Sequence, residues 1–387
     1  MISRFVADYF WEYKVLSVLH LLLSFFLLVY CIILSRKSKY KFIQIDYVFC
    51  VFLILISFIY LLNPIADSLI ELSKFISYFL IYFIGRMVSV DFFSSYKILG
   101  VFSFIGLLFF LAMAFFGQGY QMWGRVNTFT GGYFFKTDLA IASLIFLVFV
   151  FATLKSRLIL FASFLVAFYL IFLSNTRIAL PLVLVIPVFL FFSLNKNNFT
   201  LSLSGSFYLI FASVVGVLLL SVFNMSGVLG FDFSDPLSVS NTQGRSVIWE
   251  AILLAYSEGS LFNKLFGFGL TADVVATTKY SSALSLEGVR AHNSFLYLLL
   301  CVGIFGSFLF YLLVYLLITK AQSLFKNDDV RLKIIPSISC SFIIMFFWLS
   351  LTTEVIIRPQ LMILLFFFSG LHVQSYLNVI AHGRRQL

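Results

Sequence analysis

The sequence predicts an all-α polytopic membrane protein, and three observations carry that prediction. Hydrophobic residues make up 62% of the 387-residue chain, too many for a soluble protein that must cover its surface with polar groups. Charged residues make up 11%, against roughly a quarter in an ordinary soluble domain. The apolar residues fall in runs of about 20, the length at which a helix crosses the hydrocarbon core of a bilayer. A length of 387 would suggest two or three soluble domains, but a chain this poor in charge reads as one lipid-embedded unit over residues 1–387.

Polar gaps between the runs set the spans, because backbone in lipid must be hydrogen-bonded internally and irregular segments are driven to the surface. Eleven spans follow, at about 15–34, 43–62, 70–86, 98–116, 137–154, 158–174, 178–194, 207–223, 294–318, 334–352 and 360–378. Residues 1–14 are either an external N-terminal segment or a further interfacial or re-entrant helix, which gives a range of 11–12. They carry Asp8 and Glu12 and no small-residue cleavage site, so no cleavable signal peptide is expected. Cys31, Cys50, Cys301 and Cys340 each sit in an apolar run without metal or redox spacing and read as packing residues. The 52 Phe residues read as core and lipid-facing filler.

The charges orient the protein. The odd-numbered gaps and the C-terminus hold Arg36, Lys37, Lys39, Lys41, Arg86, Lys97, Lys155, Arg157, Lys196, Lys320, Lys326, Arg331, Lys333, Arg384 and Arg385, which is 15 of the 26 basic residues. The positive-inside rule makes these gaps cytoplasmic, with the C-terminus inside and the N-terminus outside. The net charge of +10 is thereby explained as topology rather than as a nucleic-acid surface. Asp328 and Asp329, between lysines, read as a solvated turn.

The opposite side carries one long polar stretch, residues 224–293, and a shorter one, residues 117–136. Specific work is expected on that outer face. Within the long loop, Arg245 to Ser257 (RSVIWEAILLAYS) has apolar residues at helical spacing, with Thr242 or Asn241 as an N-cap, and predicts a short amphipathic helix lying on the membrane. The GFG at Gly267 to Gly269 predicts a turn after it.

Basic residues are disfavoured on the outer side, so Arg125, Arg177, Arg245 and Arg290 require a reason. One reason is an anionic ligand at the membrane surface, because a guanidinium offers five donors in a planar fork that matches phosphate oxygens. The other is that each arginine snorkels to headgroups or pairs with an acid such as Asp138, Glu250 or Glu287. Arg177 sits in a short turn between two apolar runs and is the strongest of the four. His292 is the one histidine predicted beside outer polar residues, since His20 and His372 lie within spans and His382 in the tail. A neutral imidazole there can act as a general base on a sugar hydroxyl, or can simply contact a helix end or headgroups. Asp138 and Glu354 are acids on the outer face that could bind sugar hydroxyls. There is no GxGxxG, P-loop, HExxH or Cys/His cluster, so no metal site and no cofactor are expected.

His292, Asn293, nine residues, Gly303, two residues and Gly306 form a pattern that resembles the signature of the bacterial O-antigen ligase and O-antigen polymerase superfamily. The order upstream is similar as well: SNTR with Arg177, GRSVIWEA with Arg245 and Trp249, then LFGFG, then the HN pair leading into a helix. The resemblance covers roughly residues 125–306. It implies a metal-independent membrane glycosyltransferase of GT-C-like fold in the bacterial inner membrane, with its active site facing the periplasm and residues 224–293 as its long periplasmic loop. The substrate implied is an undecaprenyl-pyrophosphate-linked oligosaccharide. By the same resemblance His292 is catalytic, Arg177 and Arg245 bind the pyrophosphate, Arg290 and Arg125 join them by position, and Asn293 stands with Asp138 and Glu354 toward sugar. Membrane lipids and a chain-length regulator protein are the implied partners, with no nucleic acid.

Within the superfamily the expected function is O-antigen polymerase, which joins lipid-linked repeat units into lipopolysaccharide O-antigen chains. The sibling reading is an O-antigen ligase that transfers the glycan to lipid A-core. A more distant alternative is a lipid-linked sugar flippase, which would place ionisable residues deep in spans and show inverted repeats; neither is evident in the sequence.

Overall fold

The computed structural model describes residues 14–35, 41–65, 67–88, 96–123, 126–195, 244–280, 288–327 and 329–383. Their order is α1 (Lys14–Ser35), α2 (Gln44–Leu62), α3 (Ser68–Met87), α4 (Tyr96–Phe115), a hairpin of β1 (Tyr120–Trp123) and β2 (Val126–Phe129), α5 (Lys136–Thr153) and α6 (Arg157–Leu173). A 3-10 turn (Arg177–Ala179) leads into α7 (Leu180–Asn195). Then come α8 (Arg245–Glu258), α9 (Leu261–Phe266), α10 (Ala272–Tyr280), α11 (Ser294–Phe325), α12 (Val330–Leu349), a second 3-10 turn (Val355–Ile357) and α13 (Pro359–Gly383).

Among the described residues, eight helices are long and apolar enough to cross a membrane, and shorter apolar helices occur at Leu22–Cys31 and in α6. The protein is therefore an all-α polytopic membrane protein. These helices coincide with ten of the eleven expected spans; the other, 207–223, lies outside the described residues. The antiparallel hairpin, with Tyr120 opposite Phe129 and Trp123 opposite Val126, is an element that hydropathy did not indicate.

The core is a bundle in which α3 and α13 touch backbone to backbone. A Cβ at Gly85 would strike the carbonyl oxygen of Phe367, and one at Gly370 would strike that of Tyr82. Small residues permit this approach where no hydrophobic force drives helices together in lipid. Just beyond the crossing, Arg86 is 1% exposed. Its Nη2 and Nε donate to Asp46 at 3.1 and 3.2 Å and its Nη1 donates to Gln374 at 2.6 Å, while the Tyr82 hydroxyl donates to Asp46 at 2.8 Å. A buried charge needs this degree of partnership. Arg86 thus joins α2, α3 and α13 at one end of the bundle.

A second polar seam lies between α7, α11, α12 and α13. His372 Nε2 is 3.2 Å from the carbonyl oxygen of Leu317, which can only accept, so Nε2 carries the proton and Nδ1 accepts from the Ser339 hydroxyl at 3.0 Å. His372 is a satisfied core histidine. Phenylalanines occupy both environments expected of them. Phe49 stacks on Phe366 at 4.9 Å inside the bundle, whereas Phe115 is 85% exposed on its surface.

The amphipathic helix is present as α8. Its first flanking residue is Gly244, in the left-handed conformation at φ 83° and without a side-chain cap; the expected caps, Thr242 and Asn241, lie outside the described residues. Ile248, Ala251, Ile252 and Ala255 form its buried face. α8 therefore packs its stripe onto the protein, and Leu253 and Leu254, with Leu261 and Phe262 of α9, are exposed.

Candidate functional site

The site is built where α8, α10 and the turn before α13 converge on the start of α11. Asn293 caps α11: its Oδ1 accepts from the amides of Phe295 and Leu296 at 2.9 and 3.0 Å, and its Nδ2 donates to the Leu351 carbonyl at 3.1 Å. These bonds satisfy first-turn donors that would otherwise be orphaned. The side chain expected to face sugar is thus engaged in the fold. Ser294 adds a second tie, donating to the Thr353 carbonyl at 3.1 Å and accepting from the Ile356 amide at 3.3 Å.

This clamp sets His292 against Glu354. His292 has φ 47°, a conformation uncommon for a non-glycine residue and one that marks functional sites when neighbours enforce it. Its backbone amide donates to Glu354 Oε1, and its Nδ1 lies 3.6 Å from Glu354 Oε2, an ion-pair distance that tightens into a hydrogen bond with a small shift. Glu354 is 1% exposed, while the His292 side chain is 39% exposed. Glu354, expected as a surface acid open to sugar, is instead the buried partner of the histidine. Burial lowers the His292 pKa; Glu354 opposes that shift, and Arg245 and Arg358 add to it.

Below His292, Asp273 and Glu71 hold the preceding segment. Arg290 Nη2 reaches Glu71 Oε1 at 2.8 Å and its Nη1 reaches Asp273 Oδ1 at 3.4 Å. The Ala291 amide donates to Asp273 Oδ2 at 3.1 Å, and the Trp249 indole donates to the Ala291 carbonyl at 3.1 Å. Burial pushes the Asp273 carboxyl up to about 6, with Arg290 opposing. Arg290, expected at the pyrophosphate, is held by two carboxylates that are each about fully buried. Removing it takes the cation from Asp273 and leaves Glu71 with Lys74, whose Nζ lies 3.0 Å from the same Oε1. Arg290→Ala is expected to lower stability by about 3 kcal/mol or more, measured by thermal unfolding of the purified protein, whereas Arg245→Ala, which breaks no ion pair among the described residues, is expected to cost well under that.

Asp138 is likewise occupied: Arg358 Nη1 lies 3.3 Å from its Oδ1, and the same guanidinium sits 4.4 Å above the Phe135 ring. Arg245, at the first position of α8, is within electrostatic reach of Glu354. Lys136, at the first position of α5, is within reach of both Arg245 and Arg177. Arg177 is exposed at the start of its 3-10 turn. Arg125 lies outside the described residues. The structure therefore brings His292, Glu354, Arg245 and Arg177 into one region and adds Lys136 and Arg358. Both additions were reachable from sequence, because they are also basic residues in gaps that the positive-inside rule expects to be outer. Asp273 and Glu71 carried no such signal, since their role depends on partners far along the chain. Among the described residues no group of three His, Cys, Asp or Glu could hold a metal ion.

The glycines of the motif have a structural purpose. Gly303 breaks α11 at φ 73°, ψ −176°, a region open essentially to glycine alone. The break turns two carbonyls outward, and the GFG segment fills them: the Phe268 amide donates to Leu300 at 2.9 Å and the Gly269 amide to Cys301 at 3.3 Å. A Cβ on Gly303 would lie 2.5 Å from the Gly267 amide nitrogen. The expected turn at Gly267 is thus also the plug of a broken helix.

No protein-family model matches the chain, and no curated protein matches it.

Proposed function

We propose that this membrane protein is an O-antigen polymerase, joining undecaprenyl-pyrophosphate-linked repeat units at the periplasmic face of the bacterial inner membrane. The observation that carries the reading is the half-exposed His292 backed by buried Glu354 with cationic residues beside it, at the HN–GxxG segment that resembles the superfamily. Glu354 faces the Nδ1 side of the ring at 3.6 Å, and in the proposed mechanism Nε2 is the base. The acceptor hydroxyl loses its proton to Nε2 while its oxygen attacks the anomeric carbon of the donor sugar. The bond from that carbon to the phosphate oxygen breaks, and undecaprenyl pyrophosphate leaves with the electron pair. Arginines placed before the reaction stabilise the charge that develops on the leaving phosphate.

The reading is tested by reconstituting the purified protein in vesicles with synthetic undecaprenyl-pyrophosphate-linked repeat units. A ladder of chain lengths on a gel is expected. Transfer only to added lipid A-core would replace the polymerase with the ligase, and movement of the labelled lipid across the bilayer without any new glycosidic bond would overturn both.

A further inference from the structure

We propose that Thr277 and Asp273 of α10, together with Trp249 of α8, are the positioning residues of His292: they grip the backbone just before it and so fix where the imidazole stands. The inference rests on the reading of His292 as the general base and names what holds that base in place.

Residues 288–291 lie along α10 much as one strand lies along another. The Thr277 hydroxyl engages both backbone groups of Val289, accepting from its amide at 3.1 Å and donating to its carbonyl at 2.6 Å. The alternative acceptor, the Val274 carbonyl of its own helix, is farther at 3.0 Å. Asp273 Oδ2 accepts from the Ala291 amide at 3.1 Å. Residues 273 and 277 are four apart and share one face of α10. Residues 289 and 291 are two apart and present their amides to one side, as alternate residues of an extended chain do. One helical turn, about 5.4 Å, is close to two extended residues, about 6.6 Å, so the helix face and the segment keep step. Gly288 permits the approach: a Cβ there would lie 2.3 Å from the Val274 carbonyl oxygen and 2.2 Å from the Thr278 hydroxyl. From α8 the Trp249 indole donates to the Ala291 carbonyl at 3.1 Å. α10 is tied to α8 in turn, where the Tyr280 hydroxyl donates to Glu258 at 2.5 Å.

His292 is the residue between two clamps. Upstream, α8 and α10 hold residues 289–291; downstream, Asn293 caps α11 and Ser294 bridges to Thr353. A non-glycine residue at φ 47° keeps that conformation only where its surroundings over-determine it. Releasing the upstream clamp lets the backbone relax, and the ring swings away from Glu354, which its amide and Nδ1 now face.

The test uses the full-length protein in vesicles with synthetic undecaprenyl-pyrophosphate-linked repeat units. In parallel, the rate at which diethyl pyrocarbonate modifies His292 is read by mass spectrometry of the peptide that carries it. Thr277→Val keeps the side-chain shape and removes the hydroxyl. It is expected to lower kcat about tenfold or more with KM within about twofold of wild type, because a misplaced base costs rate rather than ground-state binding. The same variant is expected to speed modification of His292 severalfold, and Thr277→Ser to restore both readouts. Trp249→Phe is expected to move both in the same direction and takes the place of Thr277→Val if that variant does not fold. Wild-type kcat and modification rate in the folded variant overturn the inference and leave the proposed function standing. A fall in kcat with the modification rate of His292 unchanged overturns it as well, since the effect then does not pass through the histidine. Faster modification that Thr277→Ser reverses, in a protein whose wild type forms no glycosidic bond, overturns the function and leaves the positioning of His292 standing.

Discussion

His292→Ala is expected to slow chain extension by about 10²–10⁴-fold, the contribution of a positioned general base, while the protein still inserts and melts near the wild-type temperature. The imidazole is partly exposed and the only charged partner it faces within ion-pair distance among the described residues is Glu354, so its removal opens no core cavity. Extension at the normal rate would remove His292 from the chemistry. The pH profile adds a sharper expectation. The working form is the neutral ring, and burial holds its pKa below the ordinary 6.5. On the proposed mechanism the midpoint of the acid limb should therefore lie below pH 6.5, as the imidazolium forms. Glu354→Gln removes the charge that opposes this shift, so the acid limb should move to still lower pH. The plateau should drop at least about tenfold in the same variant, because the developing imidazolium loses its counter-ion, a part of what the base contributes. An unchanged acid limb in Glu354→Gln would separate the carboxylate from the histidine.

Gly303→Ala is expected to have the largest effect on stability. A non-glycine residue at φ 73°, ψ −176° costs of order 1–3 kcal/mol in backbone strain. The new Cβ also meets backbone, 2.5 Å from the Gly267 nitrogen and from the Leu265 oxygen, which cannot turn aside as a side chain can. The plug at Phe268 and Gly269 would be displaced and the Leu300 and Cys301 carbonyls left without donors, a further cost in a low-dielectric setting. A fall in melting temperature of the detergent-purified protein is the readout. Gly306→Ala is the comparison: Gly306 is not at positive φ and the nearest atoms to a Cβ there are side-chain atoms, Val302 at 2.8 Å and Leu55 at 3.4 Å, so it should cost less than Gly303→Ala. Equal melting temperatures for the two variants would mean that the break in α11 is not needed for the fold.

The spans were legible because hydropathy is a local property: a run such as residues 43–62 must be a helix in lipid whatever its neighbours do, and α2 occupies Gln44–Leu62. The candidate region was proposed from sequence for a related reason. Charge is so scarce that a basic residue on the side expected to be outer announces itself, which singled out Arg125, Arg177, Arg245 and Arg290; of these Arg290 is paired with Glu71 and Asp273 and Arg125 lies outside the described residues. The same rule applied evenly would have included Lys136 and Arg358, both of which lie in gaps on that side.

Pairing was beyond the sequence. Arg290 and Arg245 look alike in a chain read residue by residue, each an arginine on the same loop. One is held between Glu71, 219 residues away, and Asp273; the other has no ion pair among the described residues. Glu354 reads as a surface acid in a short loop and proves to be 1% exposed beneath His292, because the Asn293 cap and the Ser294 bridge to Thr353 draw the two loops together. The sequence by itself determined the membrane-spanning character and the segments that deserve scrutiny, both of which depend on the solvent each residue prefers. Only the tertiary structure decided which charges neutralise one another and which are left over, because Coulomb energy and desolvation depend on distances between helices that no local pattern encodes.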